Sequence, residues 1–163
     1  MALATSLAAI LRDEDVVLDS PIGNKAALFV TAAERLSQST GIASEILQKA
    51  LEDREKLGST AINRGIAVPH AGIEGLAAPA AVFYRLPKAI EFGASDNNPV
   101  DLVFVFVWPS DKTSGLLATL GGLCRTLRTE TLVDELRDAP DRAEIRSLFE
   151  GLAARATSSP PQK

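Results

Sequence analysis

Between Asp101 and Pro109 the chain reads Leu-Val-Phe-Val-Phe-Val-Trp, with no polar residue. A strand with one wet face alternates apolar and polar side chains. A run without alternation needs cover on both faces, as at the centre of an α/β sheet. Val100–Trp108 is therefore predicted to be the central strand, and the rest of the chain must supply its neighbours and its cover.

Helical periodicity supplies the cover. Ser6–Leu11 reads as a short helix. Ser20-Pro-Ile-Gly-Asn24 is turn chemistry ending in a residue able to cap a helix over Lys25–Ser39, where Phe29, Ala32 and Leu36 share a face. Ser37–Gly41 breaks it. A second helix is expected from about Ala43 to Leu57, with Leu47, Ala50, Leu51 and Arg54 on one face and Gly58 as its stop. Pro109–Thr113 ends the central strand and is expected to cap a helix over Ser114–Thr129 whose stripe is Leu116, Leu120, Leu123 and Leu127. Cys124 flanks that stripe and reads as a small buried apolar residue. Thr131–Ala139 and Asp141–Leu152 read as two further helices, separated by Pro140.

The other strands are shorter. Val16–Leu18 is a candidate. Ala61-Ile62 and Ile66–Val68 flank Asn63-Arg-Gly65, a tight hairpin signal. Ala80–Leu86 alternates, with Val82 and Tyr84 on one face and Phe83 and Arg85 on the other. Pro87 is expected to end it, with Ile90–Phe92 as a separate short neighbour and Gly93–Pro99 as a loop. Residues 71–76 read as a loop. One domain over 1–152 follows, with 153–163, rich in Ser and Pro, as a disordered tail.

Composition excludes several classes. A net charge of −4 without a basic block argues against nucleic acid as a partner. No apolar run reaches the roughly 20 residues of a membrane span. The start lacks a basic n-region and makes a poor signal peptide. A single cysteine fits a reducing compartment, so a cytoplasmic location is expected. One histidine and one cysteine cannot build a His/Cys metal cluster, and no phosphate loop or dinucleotide fingerprint is present. No cofactor is expected.

The chemistry concentrates in Arg54-Glu-Lys-Leu-Gly-Ser-Thr60 and Gly65-Ile-Ala-Val-Pro-His70. The histidine follows an apolar run and a proline, so it is expected where a strand ends. Imidazole is largely neutral near pH 7, and a neutral ring nitrogen is a nucleophile towards phosphorus. Phosphoryl transfer otherwise needs positioning and donor or positive groups around the moving oxygens. Arg54, Ser59 and Thr60 are of the right types. By spacing alone Arg54 reads equally well as a partner of the helix dipole with a snorkelling stem.

These two runs resemble the signature of the EIIA domains of the phosphoenolpyruvate-dependent phosphotransferase system, fructose/mannitol class, with the nitrogen-regulatory branch as the nearest match. Asn98–Phe104 and Trp108-Pro-Ser-Asp111 resemble later blocks of the same family, so the likeness covers roughly residues 14–150. The resemblance implies a single α/β domain whose mixed sheet is flanked by helices on both sides. It implies that His70 accepts a phosphoryl group on Nε2 from an HPr-like phosphocarrier protein, with Nδ1–H held by a carbonyl and Arg54 beside the phosphohistidine. Ser59 and Thr60 match the motif's hydroxyls, and a phosphoryl-binding role for them follows from residue type. Regulated targets such as a transporter or a sensor kinase are the implied partners. The alternatives are a sugar-specific EIIA that passes phosphate to an EIIB transporter domain, and a binding module that is not phosphorylated. Ile66, Val68, Ile73 and Leu76 are expected to form an apolar docking rim.

Two departures from the family pattern stand out. Gly72 occupies a position that often carries Lys or Arg. Leu116 stands where the family commonly places a second histidine near the acceptor, and Ala118 where a further one occurs. An aliphatic group cannot stabilise phosphoryl charge, so slower transfer or an altered lifetime of the phosphoprotein is expected.

Overall fold

The computed structural model describes residues 7–158. Its sheet has six strands: β1 (Val16–Leu18), β2 (Ala61–Asn63), β3 (Ile66–Ala67), β4 (His70–Ile73), β5 (Ala80–Ile90) and β6 (Val100–Pro109). The order is β1-β5-β6-β3-β2, with β4 also on β6. β5 runs antiparallel to β6, whereas β1 on β5, and β3 and β4 on β6, are parallel. The sheet is thus mixed, and β6 lies at its middle. Phe104, Val105, Phe106 and Val107 are all buried, as the unbroken apolar run requires.

Helices cover both faces. α2 (Lys25–Thr40) and α3 (Ser44–Lys56) pack on one face through Phe29, Leu36, Leu47 and Leu51 against Tyr84, Val103 and Val105. α1 (Leu7–Ile10), α4 (Thr113–Leu127), α5 (Glu130–Asp138) and α6 (Arg142–Ser158) take the other, where Phe83, Phe104 and Phe149 pack as a cluster of tilted and edge-on rings. The period of two along β5 divides Tyr84 from Phe83 as read from the sequence. Asn24 caps α2 by accepting a hydrogen bond from the Ala27 N–H at 2.8 Å. Gly41, at φ 76°, ends it in the left-handed region.

Four expectations need correction. Residues 70–73 form a strand, not a loop, and His70 begins that strand rather than closing one. The free edge of long β6 beyond β3 offers a ladder that even a glycine-bearing segment fills, with His70 opposite Phe106 and Gly72 opposite Trp108. Pro87 does not end β5. Arg85 pairs with Leu102 but Ile90 with Val100, so the ladder to β6 is interrupted there, and β1 stops opposite Arg85. No neighbour asks Pro87 for an N–H. α4 lacks a side-chain N-cap and is instead entered through a 3₁₀ turn at Ser110–Lys112. Finally, α6 continues to Ser158, so residues 153–158, assigned to a tail by composition, are helical. Ser6 and residues 159–163 lie outside the described residues.

Candidate functional site

His70 is placed by a change of strand along one edge. β3 pairs with β6 through Ile66 and Ala67, and β4 resumes pairing at His70. Val68 and Pro69 lie between. The Pro69 carbonyl still accepts the Phe106 N–H at 2.9 Å, so the bend stays fastened to the central strand. This bend brings the Val68 carbonyl within 2.9 Å of His70 Nδ1.

A carbonyl only accepts, so Nδ1 carries the proton. The other nitrogen, Nε2, is then bare in the neutral ring, and Arg54 Nε–H donates to it at 3.3 Å. Arg54 sits in the last turn of α3, as its i, i+3, i+4, i+7 spacing predicts. Its Nη1 also donates to the Gly58 carbonyl at 3.0 Å, so the guanidinium is held across the end of the helix. One hydrogen bond goes to the imidazole and one to the Gly58 carbonyl, the second being also what a partner of the helix end would make. His70 is pulled below its ordinary pKa. Burial is the main cause, the hydrogen bond to Val68 opposes it, the Arg54 charge lowers it further, and Glu55 raises it. The ring is therefore neutral at pH 7.

The imidazole opens into a pocket of about 160 Å³. Arg54 and the segment Ser59–Ile62 form one wall, Val68 and His70 the floor, and Leu120 and Cys124 of α4 the opposite wall. All four residues singled out from the sequence, Arg54, Ser59, Thr60 and His70, thus meet in one place. Their hydroxyls have other partners in this state. Ser59 Oγ donates to the Phe92 carbonyl at 2.8 Å, and Thr60 Oγ1 donates to Glu55 Oε2 at 2.7 Å.

The α4 wall departs from expectation. Leu116 is buried in the core and does not line the pocket; Leu120, one turn later, does. Ala118 is exposed. Cys124 is half-buried at the pocket wall, and burial raises its thiol pKa, which keeps it protonated. The expected docking rim is also misplaced, since Ile66, Val68, Ile73 and Leu76 are all buried. Large apolar side chains that do reach solvent include Leu57 at the end of α3, 84% exposed, and Leu117 on α4, 68% exposed. Gly72 faces Ser110, and a Cβ there would make ordinary contacts of 3.5–3.6 Å, so its lack of a side chain is not imposed by space.

The hairpin wall is anchored from behind. Its turn places both Arg64 (φ 60°) and Gly65 (φ 79°) in the left-handed region, as a two-residue hairpin demands. Arg64 Nη1 donates to the Leu127 and Arg128 carbonyls at the end of α4, and its backbone N–H donates to Asp96 at 2.8 Å. Its own carbonyl accepts from Arg137 of α5 at 2.6 Å, and Arg137 also pairs with Asp101. Sequence reasoning missed Arg64 and Arg137, because their partners lie far along the chain, and Glu55, whose partners are nearby Thr60 and distant Lys25.

A family model described as "Phosphoenolpyruvate-dependent sugar phosphotransferase system, EIIA 2" matches residues 9–151. The chain belongs to that family. The EIIA chain is 37% identical over 118 residues to the nitrogen regulatory protein of Klebsiella oxytoca, covering 72% of this chain and 73% of the relative. It is 32% identical over 128 residues to that of Bradyrhizobium diazoefficiens, covering 78% and 84%. Its fold superimposes on nitrogen regulatory protein IIA-Ntr from Neisseria meningitidis with a TM-score of 0.85 at 29% identity, covering 88% of this chain and 98% of that one. The mannitol IIA of Escherichia coli shares the fold at a TM-score of 0.71. Among the described residues, no helix of this EIIA chain is long and apolar enough to cross a membrane, and no group of three or more His, Cys, Asp or Glu is placed to hold a metal ion.

Proposed function

We propose that this chain is a regulatory phosphocarrier that takes a phosphoryl group onto His70 Nε2 from a phosphorylated HPr-like protein and controls partner proteins by its phosphorylation state. The observation that carries this is the division of labour on the imidazole. Val68 occupies Nδ1 as a proton acceptor, leaving the Nε2 lone pair at an open pocket beside a guanidinium.

In the reaction, Arg54 releases Nε2 to turn to the phosphoryl oxygens, and the freed lone pair forms a bond to phosphorus as the bond from phosphorus to the donor's imidazole nitrogen breaks, its electrons returning to the donor. No proton leaves His70, because Nδ1–H remains bonded to Val68. Arg54 supplies positive charge to the transferring oxygens, which in a loose transition state carry most of the charge. Ser59 and Thr60 flank the phosphoryl group. They become donors to it by turning their hydroxyls away from Phe92 and Glu55.

The product places a group of about −1.5 to −2 charges in a pocket whose two walls belong to the elements that end in exposed Leu57 and carry exposed Leu117. A partner that docks on the apolar rim of the free form then meets a buried-edge dianion. Regulated targets, a transporter or a sensor kinase, are proposed to be sorted this way. The names of the relatives support the regulatory reading over a sugar-specific EIIA that feeds an EIIB domain.

The test is the intact mass after incubation with phosphoenolpyruvate, the first enzyme of the system and its HPr-like carrier. One acid-labile phosphoryl group, absent from His70→Ala, is the expected result. No gain by a folded protein with an active carrier overturns the reading and leaves a binding module.

A further inference from the structure

Glu55 stands next to Arg54 in sequence, yet it points away from solvent. Its side chain is 6% exposed. Oε1 accepts the Thr60 backbone N–H at 3.1 Å, and Oε2 accepts the Thr60 hydroxyl at 2.7 Å. Both oxygens are thus committed to a residue of the pocket wall that holds His70. The counter-ion comes from a third element. Lys25, the first residue of α2, places Nζ 2.6 Å from Glu55 Oε1. The same Nζ donates to the Phe92 carbonyl at 3.2 Å and lies 4.6 Å from the centre of the Phe92 ring. Ser59 donates to that same carbonyl, so Lys25 touches the backing of both hydroxyl residues.

A nearly buried carboxylate held against Thr60, which lines the pocket with His70, has two opposed effects there. It favours a positive charge on the imidazole and disfavours the dianion that phosphorylation creates. A cation fixed against it offsets both in part. We propose that the Lys25–Glu55 pair tunes the phosphoryl acceptor, with Glu55 setting a negative field at His70 and Lys25 opposing it. This rests on the reading of His70 as the acceptor. Both are positioning residues, since neither touches the reacting atoms. The other charged or titratable groups facing His70 are Arg54 on α3 and Cys124 on α4, the latter protonated, and neither changes in the test.

The chain's one histidine gives one pair of imidazole proton resonances, so its titration is read directly by NMR in the full chain. Lys25→Met unmasks Glu55. It should raise the His70 midpoint and shift the phosphoryl equilibrium severalfold towards the donor carrier. Glu55→Gln keeps acceptor and donor atoms for Thr60 but removes the charge. It should lower the midpoint and shift the equilibrium towards this chain. The double variant should return both readouts towards the wild type. A merely structural pair would lower phosphoryl occupancy in both single variants, with no mirror-image titration shifts. Shifts of the same sign, or none, overturn the proposal. Should Glu55→Gln fail to fold, Lys25→Met and Lys25→Arg decide it, because only the arginine variant should restore both readouts. The titration needs no phosphoryl donor. A wild type that is never loaded therefore sinks the acceptor reading, while the midpoint shifts still decide the tuning.

Discussion

The carbonyl of Val68 lies 2.9 Å from Nδ1 of His70, two residues later on the same bend of the chain. That contact decides which imidazole nitrogen is available. The neutral ring is expected to be more than nine-tenths in the Nδ1–H form, a factor of roughly ten for each 1.4 kcal/mol of hydrogen bond. Long-range ¹H–¹⁵N spectra of the unphosphorylated protein at pH 8 check this. The phosphorylated protein should carry phosphorus on Nε2, read from ³¹P–¹⁵N coupling. Phosphorus on Nδ1 would mean that the bend has to open before transfer.

Arg54→Ala removes one hydrogen bond to His70 and one to Gly58. Charged hydrogen bonds contribute about 1.5–3 kcal/mol, so the loading rate should fall roughly tenfold to a hundredfold. Arg54→Lys should recover only part of it, because an ammonium cannot hold both partners in a plane. Quench-flow loading by the phosphorylated carrier gives the numbers. Thermal stability should change little, since the side chain is half-exposed.

The lowered pKa of His70 has a sign that can be worked through. In the unfolded chain the ring protonates near 6.5, and in the folded chain only at lower pH. Between those values the unfolded state binds more protons, so stability falls as pH drops through this window. His70→Gln lacks the effect. The stability difference between wild type and this variant should therefore move against the wild type from pH 7 to pH 5, as measured by urea unfolding. Loading activity should hold below pH 6.5 and fall only when the folded ring protonates.

Leu116→His and Leu120→His should behave differently, although they lie one turn apart. Leu116 is in the core, and a polar ring there should cost about 2–4 kcal/mol and lower the melting temperature. Leu120 is half-buried and faces the pocket, so a histidine there should be tolerated and should raise the loading rate by donating to the phosphoryl group. Equal melting temperatures for the two variants would contradict the placement of α4.

Gly65→Ala should be costly. The position has φ 79°, and a Cβ would run into the Arg137 guanidinium that holds the Arg64 carbonyl. A loss of at least about 1–2 kcal/mol is expected from the backbone conformation alone, seen as a lower urea midpoint.

What could be read without coordinates follows from the range of each signal. The uncovered-strand problem of Val100–Trp108, the cap at Asn24 and the hairpin at Asn63–Gly65 are local, and each sits where it was expected. That Arg54 stands beside His70 is implied by the resemblance; spacing alone leaves it open, and the strand end expected at His70 is the start of β4. β4 was not legible, because Ala71-Gly72 has no strand preference and pairs only since β6 outlasts β3. The passage of β5 through Pro87 depends on two neighbours stopping at the same level. Resemblance placed the α4 wall at Leu116, but which turn of a helix faces a pocket is decided by the 3₁₀ turn that starts it. Glu55 carries no signal of its own in the sequence, and its place is fixed by Thr60 together with the distant Lys25.

The Arg64 side chain grips the end of α4 from a hairpin 63 residues earlier, while that same α4 supplies the far wall of the pocket. The two walls are thus fastened to each other through the turn of the hairpin, and neither can shift without straining that tie.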